Sequence, residues 1–339
     1  MLDMLSFITW DVNPEAFSLF GREIRWYGIL WAAGVLCTTM VVQRMYKSEK
    51  LPEKWFDSLF LYVLTGLIIG ARLGHCLFYE PMEYLSNPVS LIEIWKGGLA
   101  SHGGAIGMVI GVCLYSLKIT GKKLNWKHLI IGAVAGFIVG GIAGYIINPD
   151  NADATLGIAF LGLSVGACVA MLYMTYLTSI QTLDKLVVGV AIGATSIRLG
   201  NLMNSEIYGG PTDVPWAFRF IQNIEDWKRG AEPIYSLPSH PTQIYEALTY
   251  FCIFLIGLFL FYKTPAKTKS GFILGVSLIG IFLSRFIVEF IKNTQVDYEQ
   301  AMVLNMGQLL SLPFVVWGVW LVWSAITRKE GPIDEKTIK

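Results

Sequence analysis

The chain has 339 residues, of which 54% are hydrophobic and 15% charged, with a net charge of +1 and a mean hydropathy of +0.54. That composition belongs to a polytopic membrane protein rather than to a soluble one of two domains, and the balanced charge excludes a nucleic-acid surface built on basic excess. The five cysteines, Cys37, Cys76, Cys113, Cys168 and Cys252, all fall in apolar stretches, so they read as small buried hydrophobes rather than as disulfides or metal ligands.

In chain order, the N-terminal MLDMLSFITWDVNPEAF carries an acidic residue and no basic region ahead of an apolar run. It is not expected to be a cleavable signal peptide. A bilayer-crossing helix needs about 20 predominantly apolar residues, and nine spans are predicted on that criterion, at 25–43, 57–78, 100–117, 129–147, 155–178, 184–201, 242–262, 271–292 and 305–326. The stretch 85–99 reads as a partly inserted loop. The expected fold class is an all-α polytopic membrane helix bundle, with spans one to six in 1–201, a small head in 202–241, spans seven to nine in 242–326 and a tail in 327–339. Connections on alternate sides carry 16 Lys and Arg against 7, which puts the N-terminus and the head outside and the C-terminus inside. The longest connection, 202–241, is rich in Pro, Trp, Asn and Gly, and long loops in compact proteins tend to be functional. Small residues recur in GAVAGFIVGGIAG (132–144), as close helix packing requires.

Charge at membrane depth is costly enough to mark functional sites, and three arginines lie within spans: Arg72, Arg198 and Arg285. Each lies roughly 12–14 residues from the inner end of its span, or about 18–21 Å, in the outer third of the bilayer. Glu289 follows Arg285 by one turn, a spacing at which it can neutralise the guanidinium. His102 stands in GGLASHGGAIG at the outer end of span three, followed by Gly103 and Gly104. Tyr27 and Glu206 share that level. An imidazole, a carboxylate, a phenol and up to three guanidiniums at one depth suit an anionic headgroup and proton chemistry together.

The segment SIRLGNLMNSEIYG (196–209) resembles the signature of the prolipoprotein diacylglyceryl transferases, through Arg198, Gly200, Asn201, Asn204, Glu206 and Gly209. RWYG (25–28), GARLGHCLFYEP (70–81), IWKGGLASHGG (94–104), HPTQIYE (240–246), SRFIVEF (284–290) and MGQLLSLP (306–313) are similar to further blocks of that family, in its order. The resemblance implies transfer of the diacylglyceryl unit of phosphatidylglycerol to the lipobox cysteine of a prolipoprotein signal peptide, with release of glycerol 1-phosphate and without metal or cofactor. It further implies a multi-pass enzyme of the bacterial inner membrane, surrounded by membrane lipids, with its active site towards the outer leaflet. Carried onto this chain, His102, Arg198 and Glu206 are the expected catalytic residues. His102 is the first choice as general base, with Glu206 as its rival, and Arg198 is assigned to the phosphate. Tyr27, Arg72, Gly103, Gly104, Asn201, Asn204, Gly209, His240, Arg285 and Glu289 are the expected substrate-binding residues.

Three features depart from the family pattern. Ile197 and Leu202 stand where Gly and Phe are usual. Ser239 stands where an arginine usually precedes His-Pro, leaving either Arg219 or Arg229 to substitute or one cation fewer on the phosphate. The stretch between HGG and the signature is longer by about one helical hairpin, at 129–178. The alternative reading from another class is a secondary transporter or channel for an anionic solute, which would use the same arginines. It is disfavoured because the charges share one level instead of marking a path.

Overall fold

The structure, a computed structural model, describes residues 7–93, 98–292 and 304–328. Its elements are β1 (Ile8–Trp10), β2 (Glu15–Leu19), β3 (Arg22–Arg25), α1 (Trp26–Ser48), α2 (Glu53–Phe78), α3 (Pro81–Ser86), α4 (Ser101–Thr120), α5 (Trp126–Ile147), α6 (Ala152–Met203), β4 (Phe218–Phe220), α7 (Ile224–Lys228), α8 (Thr242–Lys263), α9 (Phe272–Val288) and α10 (Met306–Thr327). Among the described residues eight helices, α1, α2, α4, α5, α6, α8, α9 and α10, are long and apolar enough to cross a membrane. The chain is therefore an all-α polytopic membrane protein, as its composition requires. Lys96 and the tail from residue 329 lie outside the described residues.

Eight helices replace nine predicted spans because the turn expected between 178 and 184 does not form. The backbone stays helical from Ala152 to Met203, 52 residues, a length of about 78 Å at the usual rise, well beyond what one crossing of a hydrocarbon core about 30 Å thick requires. Nothing between Gly166 and Gly189 breaks the ladder, since no Gly or Pro intervenes. The hydroxyls that dilute the apolar pattern there turn inward, Thr175 donating to the Met171 carbonyl at 2.7 Å and Thr182 to that of Thr178 at 2.8 Å.

The chain divides into two compact units, Met1–Met45 with Asp184–Glu330, and Tyr46–Leu183. In the second unit α2 and α4 are antiparallel and pressed together along glycines: a Cβ on Gly66 would lie 2.2 Å from the Gly107 carbonyl oxygen, and one on Gly70 2.4 Å from that of Gly103. A second seam joins α5 to the first half of α6, where a Cβ on Gly136 would meet the Gly162 carbonyl at 2.1 Å and one on Gly132 that of Gly166 at 2.7 Å. Lipid offers no hydrophobic drive for helices to associate, so such backbone approach supplies the packing instead. The small residues of 132–144 are thus consumed by the hairpin itself.

In the other unit α1 runs antiparallel to the end of α6, with Gly34 against Gly193 and Ser196 and the Thr38 hydroxyl donating to the Gly189 carbonyl at 2.7 Å. Buried Asp184 accepts the N–H groups of Gly271 at 2.6 Å and Leu274 at 2.7 Å, satisfying orphan donors at the start of α9. The connection 202–241 does not stand alone, because β1 pairs in parallel with β4 (Ile8↔Phe218 to Trp10↔Phe220). Leu202, Phe218 and Phe220 form its small core with Trp10 and Tyr208, and the Trp10 indole N–H donates to the Leu202 carbonyl at 2.9 Å. The N-terminal residues, left without structure by the sequence reading, belong to this head.

If the α2–α4 seam depends on backbone contact, Gly107→Val must fail. Its Cβ would fall 2.1 Å from the Gly66 carbonyl oxygen, with backbone on both sides and no flexible side chain to give way. Overpacking of this kind costs about 1–3 kcal/mol, and the expected result is a lower midpoint of thermal unfolding in detergent or bicelles. An unchanged midpoint removes the seam as a source of stability.

Candidate active site

The site begins with the end of α6, where the helix stops and Asn204, Ser205, Glu206 and Ile207 follow. Ser205 has φ 53° and Ile207 φ 60°, a left-handed conformation that is costly for any L residue and most of all for a β-branched one. Strain of this kind persists only where the surroundings over-determine it, and they do so here. The Glu206 N–H donates to the Asn201 carbonyl at 3.1 Å, the Thr242 hydroxyl to the Ile207 carbonyl at 2.9 Å, and the Gln243 amide to the Glu206 carbonyl at 2.7 Å. The consequence is a fixed carboxylate. Glu206 Oε1 accepts from the amide nitrogens of Asn201 at 2.8 Å and Asn204 at 3.2 Å.

Arg198 lies two turns earlier on the same helix. Its Nη1 donates to Asn201 Oδ1 at 3.2 Å, linking guanidinium, amide and carboxylate in one chain, and Tyr250 lies within its electrostatic reach. Its counter-charge is Glu246 on α8, fully buried, with Oε2 at 3.1 Å from Arg198 Nε. The angle of that contact lies outside a hydrogen bond, so the pair is held by charge rather than by alignment. The other oxygen, Oε1, accepts from Lys292 Nζ at 3.1 Å, and Lys292 also faces Glu289 Oε2 at 3.4 Å. A carboxylate so buried is retained in charged form only with cations beside it.

Two residues of the signature act through their lack of a side chain. A Cβ on Gly200 would lie 2.8 Å from the Tyr27 ring, so Gly200 admits Tyr27, which is within electrostatic reach of Glu206 and Arg198. Gly209 pairs with Lys292 in an antiparallel bridge, and a Cβ there would meet the Ile291 carbonyl oxygen at 2.6 Å. Gly209 therefore sets where Lys292 stands. His240 Nδ1 is 3.2 Å from the Tyr245 hydroxyl, which accepts from the Trp216 indole at 2.7 Å. Arg285 lies within electrostatic reach of Tyr250.

Of the expected residues, Tyr27, Arg198, Asn201, Asn204, Glu206, Gly209, His240, Arg285 and Glu289 fall in this unit. Three details differ from expectation. The ion pair of Glu289 among the described residues is with Lys292 rather than Arg285, since residue 292 follows Glu289 by three positions on the same turn. Glu206 is committed to amides, and Glu246 is the carboxylate that meets the cations. Arg219 and Arg229, the two candidates to stand in for the arginine usual at Ser239, are both engaged elsewhere. The Arg219 guanidinium covers the rings of Phe7 at 5.2 Å and Tyr235 at 5.3 Å, and that of Arg229 faces Asp226 at 3.7 Å on the exposed side of α7. Ser239 itself is buried, its hydroxyl donating to the Leu237 carbonyl at 2.8 Å. Sequence reasoning missed Glu246 and Lys292. The signal for the first was available, because an acidic residue in an apolar helix is a functional candidate by default. Lys292 had been counted only as a basic residue of an outer loop.

Arg72, His102, Gly103 and Gly104 belong to the other unit. Arg72 is buried there, and its N–H groups reach the backbone carbonyls of Ser90 at 2.6 Å, Leu91 at 3.0 Å and Gly98 at 3.2 Å, with Tyr84 under the guanidinium. It lines a polar cavity of about 220 Å³ with His75, Glu83, Asn87 and Glu93. His102 is exposed in the first turn of α4. Gly103 faces α2, where its Cβ would meet the Gly70 carbonyl at 2.2 Å, and Gly104 packs on Leu67. Among the described residues no group of three or more His, Cys, Asp or Glu has the arrangement of a metal site.

Fold and site together define a polytopic membrane protein with a buried, charge-compensated polar centre at the end of a long helix. A profile of the family described as prolipoprotein diacylglyceryl transferase matches residues 14–154 and 118–324. A phosphatidylglycerol–prolipoprotein diacylglyceryl transferase of Porphyromonas gingivalis is 42% identical over 337 residues, covering 98% of each chain. Relatives of the same name from Bacteroides fragilis (38% over 335 residues, 95% of this chain and 97% of the relative) and Chloroherpeton thalassium (35% over 329 residues, 97% and 98%) are similar throughout. The chain belongs to the prolipoprotein diacylglyceryl transferase family and is a transferase of lipoprotein maturation.

The Gly209 bridge yields a prediction that separates positioning from direct contact. Gly209→Ala would push the 291–292 backbone away by several tenths of an ångström or more, and small misplacements in such sites cost about 10²-fold. The expected result is a large fall in kcat with the protein still folded by size exclusion. Normal turnover would show that the placement of Lys292 is not set by this bridge.

Proposed function

We propose that this chain moves the diacylglyceryl group of phosphatidylglycerol onto the thiol of the lipobox cysteine of a prolipoprotein and releases glycerol 1-phosphate. In this reading it works in the bacterial inner membrane with the polar centre towards the outer leaflet. The observation that supports it is the Arg198 cluster: a guanidinium anchored by Glu246, with a second buried cation, Lys292, on the same carboxylate. Such a pair suits a leaving phosphate, because charge that develops on the departing oxygen meets donors already held in place and shielded from water. The carbonyl oxygens of the Asn204 and Gln243 side chains are buried without a hydrogen-bond partner among the described residues. They are acceptors suited to the hydroxyls of a glycerol headgroup.

The reaction needs a thiolate, and an ordinary cysteine thiol has a pKa near 8.5. The base removes the thiol proton, sulfur attacks the glyceryl carbon, the carbon–oxygen bond to phosphate breaks, and glycerol phosphate leaves with the electron pair. We assign the proton to His102, an exposed imidazole in the first turn of α4. The amide contacts of Glu206 favour this choice, since its Oε1 is already taken by two donors. Glu206 then orients Asn201 and Asn204 for the headgroup, and Tyr27 lies beside them.

Purified protein incubated with labelled phosphatidylglycerol and a lipobox peptide is expected to give a thioether-linked lipopeptide and soluble glycerol phosphate. A transporter gives neither. His102→Gln is expected to retain lipid binding and lose about 10²–10⁴ in rate, with partial recovery as rising pH supplies thiolate from solution. Glu206→Gln should weaken lipid binding and show no such recovery. Alkaline recovery in the Glu206 variant alone would exchange the two roles.

A further inference from the structure

The hairpin formed by β2 and β3 has two unlike faces. Its register pairs Phe17 with Ile24 and Leu19 with Arg22, while Ser18 pairs with Glu23 and Glu15 with Arg25 across a bulge. Opposed residues share a face and alternate residues along a strand return to it. One face therefore carries Phe17, Ile24, Leu19 and the stem of Arg22, and the other carries Ser18, Glu23 and Arg25.

The polar face is occupied. Arg25 meets Glu225 Oε1 at 2.9 Å, and Lys228 bonds Glu23, both partners lying on α7. That hydrogen bond holds the Glu23 carboxyl below the usual carboxylate range. The apolar face is bare, with Phe17 51% and Leu19 49% exposed, and at the tip Phe20 is 96% exposed. Phe20 has φ 50° and Gly21 φ 75°, the pair of left-handed residues that a two-residue turn of this type requires and that Asn-Gly normally supplies. A bulky aromatic in that position is strained, and the strain holds it outward.

What covers this face follows from where the hairpin starts. β3 ends at Arg25 and the membrane helix α1 begins at Trp26 with no linker between, so the hairpin emerges at the bilayer surface. Four residues of strand reach only about 13 Å, so the whole hairpin stays within one short strand's length of the membrane surface. With α7 of the head bound to one face, the opposite, apolar face is left exposed. Arg22 at its rim suits a lipid phosphate, and exposed Trp26 opens α1 directly after Arg25, as interfacial aromatics do.

We infer that the apolar face of the β2–β3 hairpin, with Phe20 at its tip, is a membrane-insertion site that seats the head on the lipid headgroup–acyl boundary.

The experiment uses the full chain in nanodiscs of phosphatidylglycerol and phosphatidylethanolamine. The photocrosslinking residue p-benzoylphenylalanine replaces Phe20, Phe17 or, on the opposite face, Ser18, with and without a lipobox peptide, and an unchanged size-exclusion profile verifies folding. Mass spectrometry is expected to find lipid adducts from Phe20 and Phe17 in at least tenfold excess over those from Ser18, unchanged when peptide is added. Adducts to the peptide in place of lipid would make the face a substrate-docking surface and overturn the inference. Equal lipid yield from both faces, or no lipid adduct from Phe20 and Phe17, would overturn it as well. Loss of transfer in the unmodified protein would instead count against the proposed activity and leave this readout intact.

Discussion

Arg198 is a charge held inside a membrane protein, and the arrangement around it follows from the need to compensate it. An isolated guanidinium in hydrocarbon is expensive, and a buried carboxylate is no cheaper. Arg198 and Glu246 make each other possible, and Lys292 joins Glu246 to Glu289, so that two cations face two carboxylates. The signature segment serves this arrangement. Gly200 admits Tyr27, the strained Ser205 and Ile207 aim Glu206 at two amides, and Gly209 brings the strand bearing Lys292 against the head. The backbone that leaves helical geometry after α6 is held by hydrogen bonds from Glu206, Thr242 and Gln243.

Cations fixed in place are useful in a reaction that expels a phosphate. The substrate arrives as a monoanion and the product departs with greater charge, so cations fixed beforehand favour the later state. The neutral amides contribute differently. They have unsatisfied acceptors to offer to hydroxyls, which distinguishes a glycerol headgroup from a simple anion. Ser239 is folded into the head by backbone pairing with Phe218 and Pro211, and the second buried cation beside Glu246 is Lys292.

Much of this was legible beforehand. Composition and runs of apolar residues gave the membrane class, and the arginine, two asparagines and glutamate of 198–206 are brought together as their spacing on one helix end requires. The continuity of α6 was not legible, because a hydropathy window registers the polar Thr178–Asp184 stretch as an exit from the membrane, whereas its threonine hydroxyls bond their own helix and Asp184 bonds the start of α9. The four strands were hidden by their brevity, three to five residues each, too short for an alternating pattern. Glu246 was read as part of a motif rather than as a charge in an apolar helix, and the partner of Arg198 was missed with it.

The central claim is that Glu246 exists to hold Arg198, and a double-mutant cycle measures this directly. Unfolding free energies would be determined in bicelles for Arg198→Met, Glu246→Gln and the double variant. Removing one partner strands the other charge, at a cost of about 3–5 kcal/mol, whereas removing both strands less. The account predicts a coupling of about 2 kcal/mol or more between the two positions, with turnover lost in all three variants. Additive losses, within about 0.5 kcal/mol, would show that the two charges are not each other's support and would contradict it.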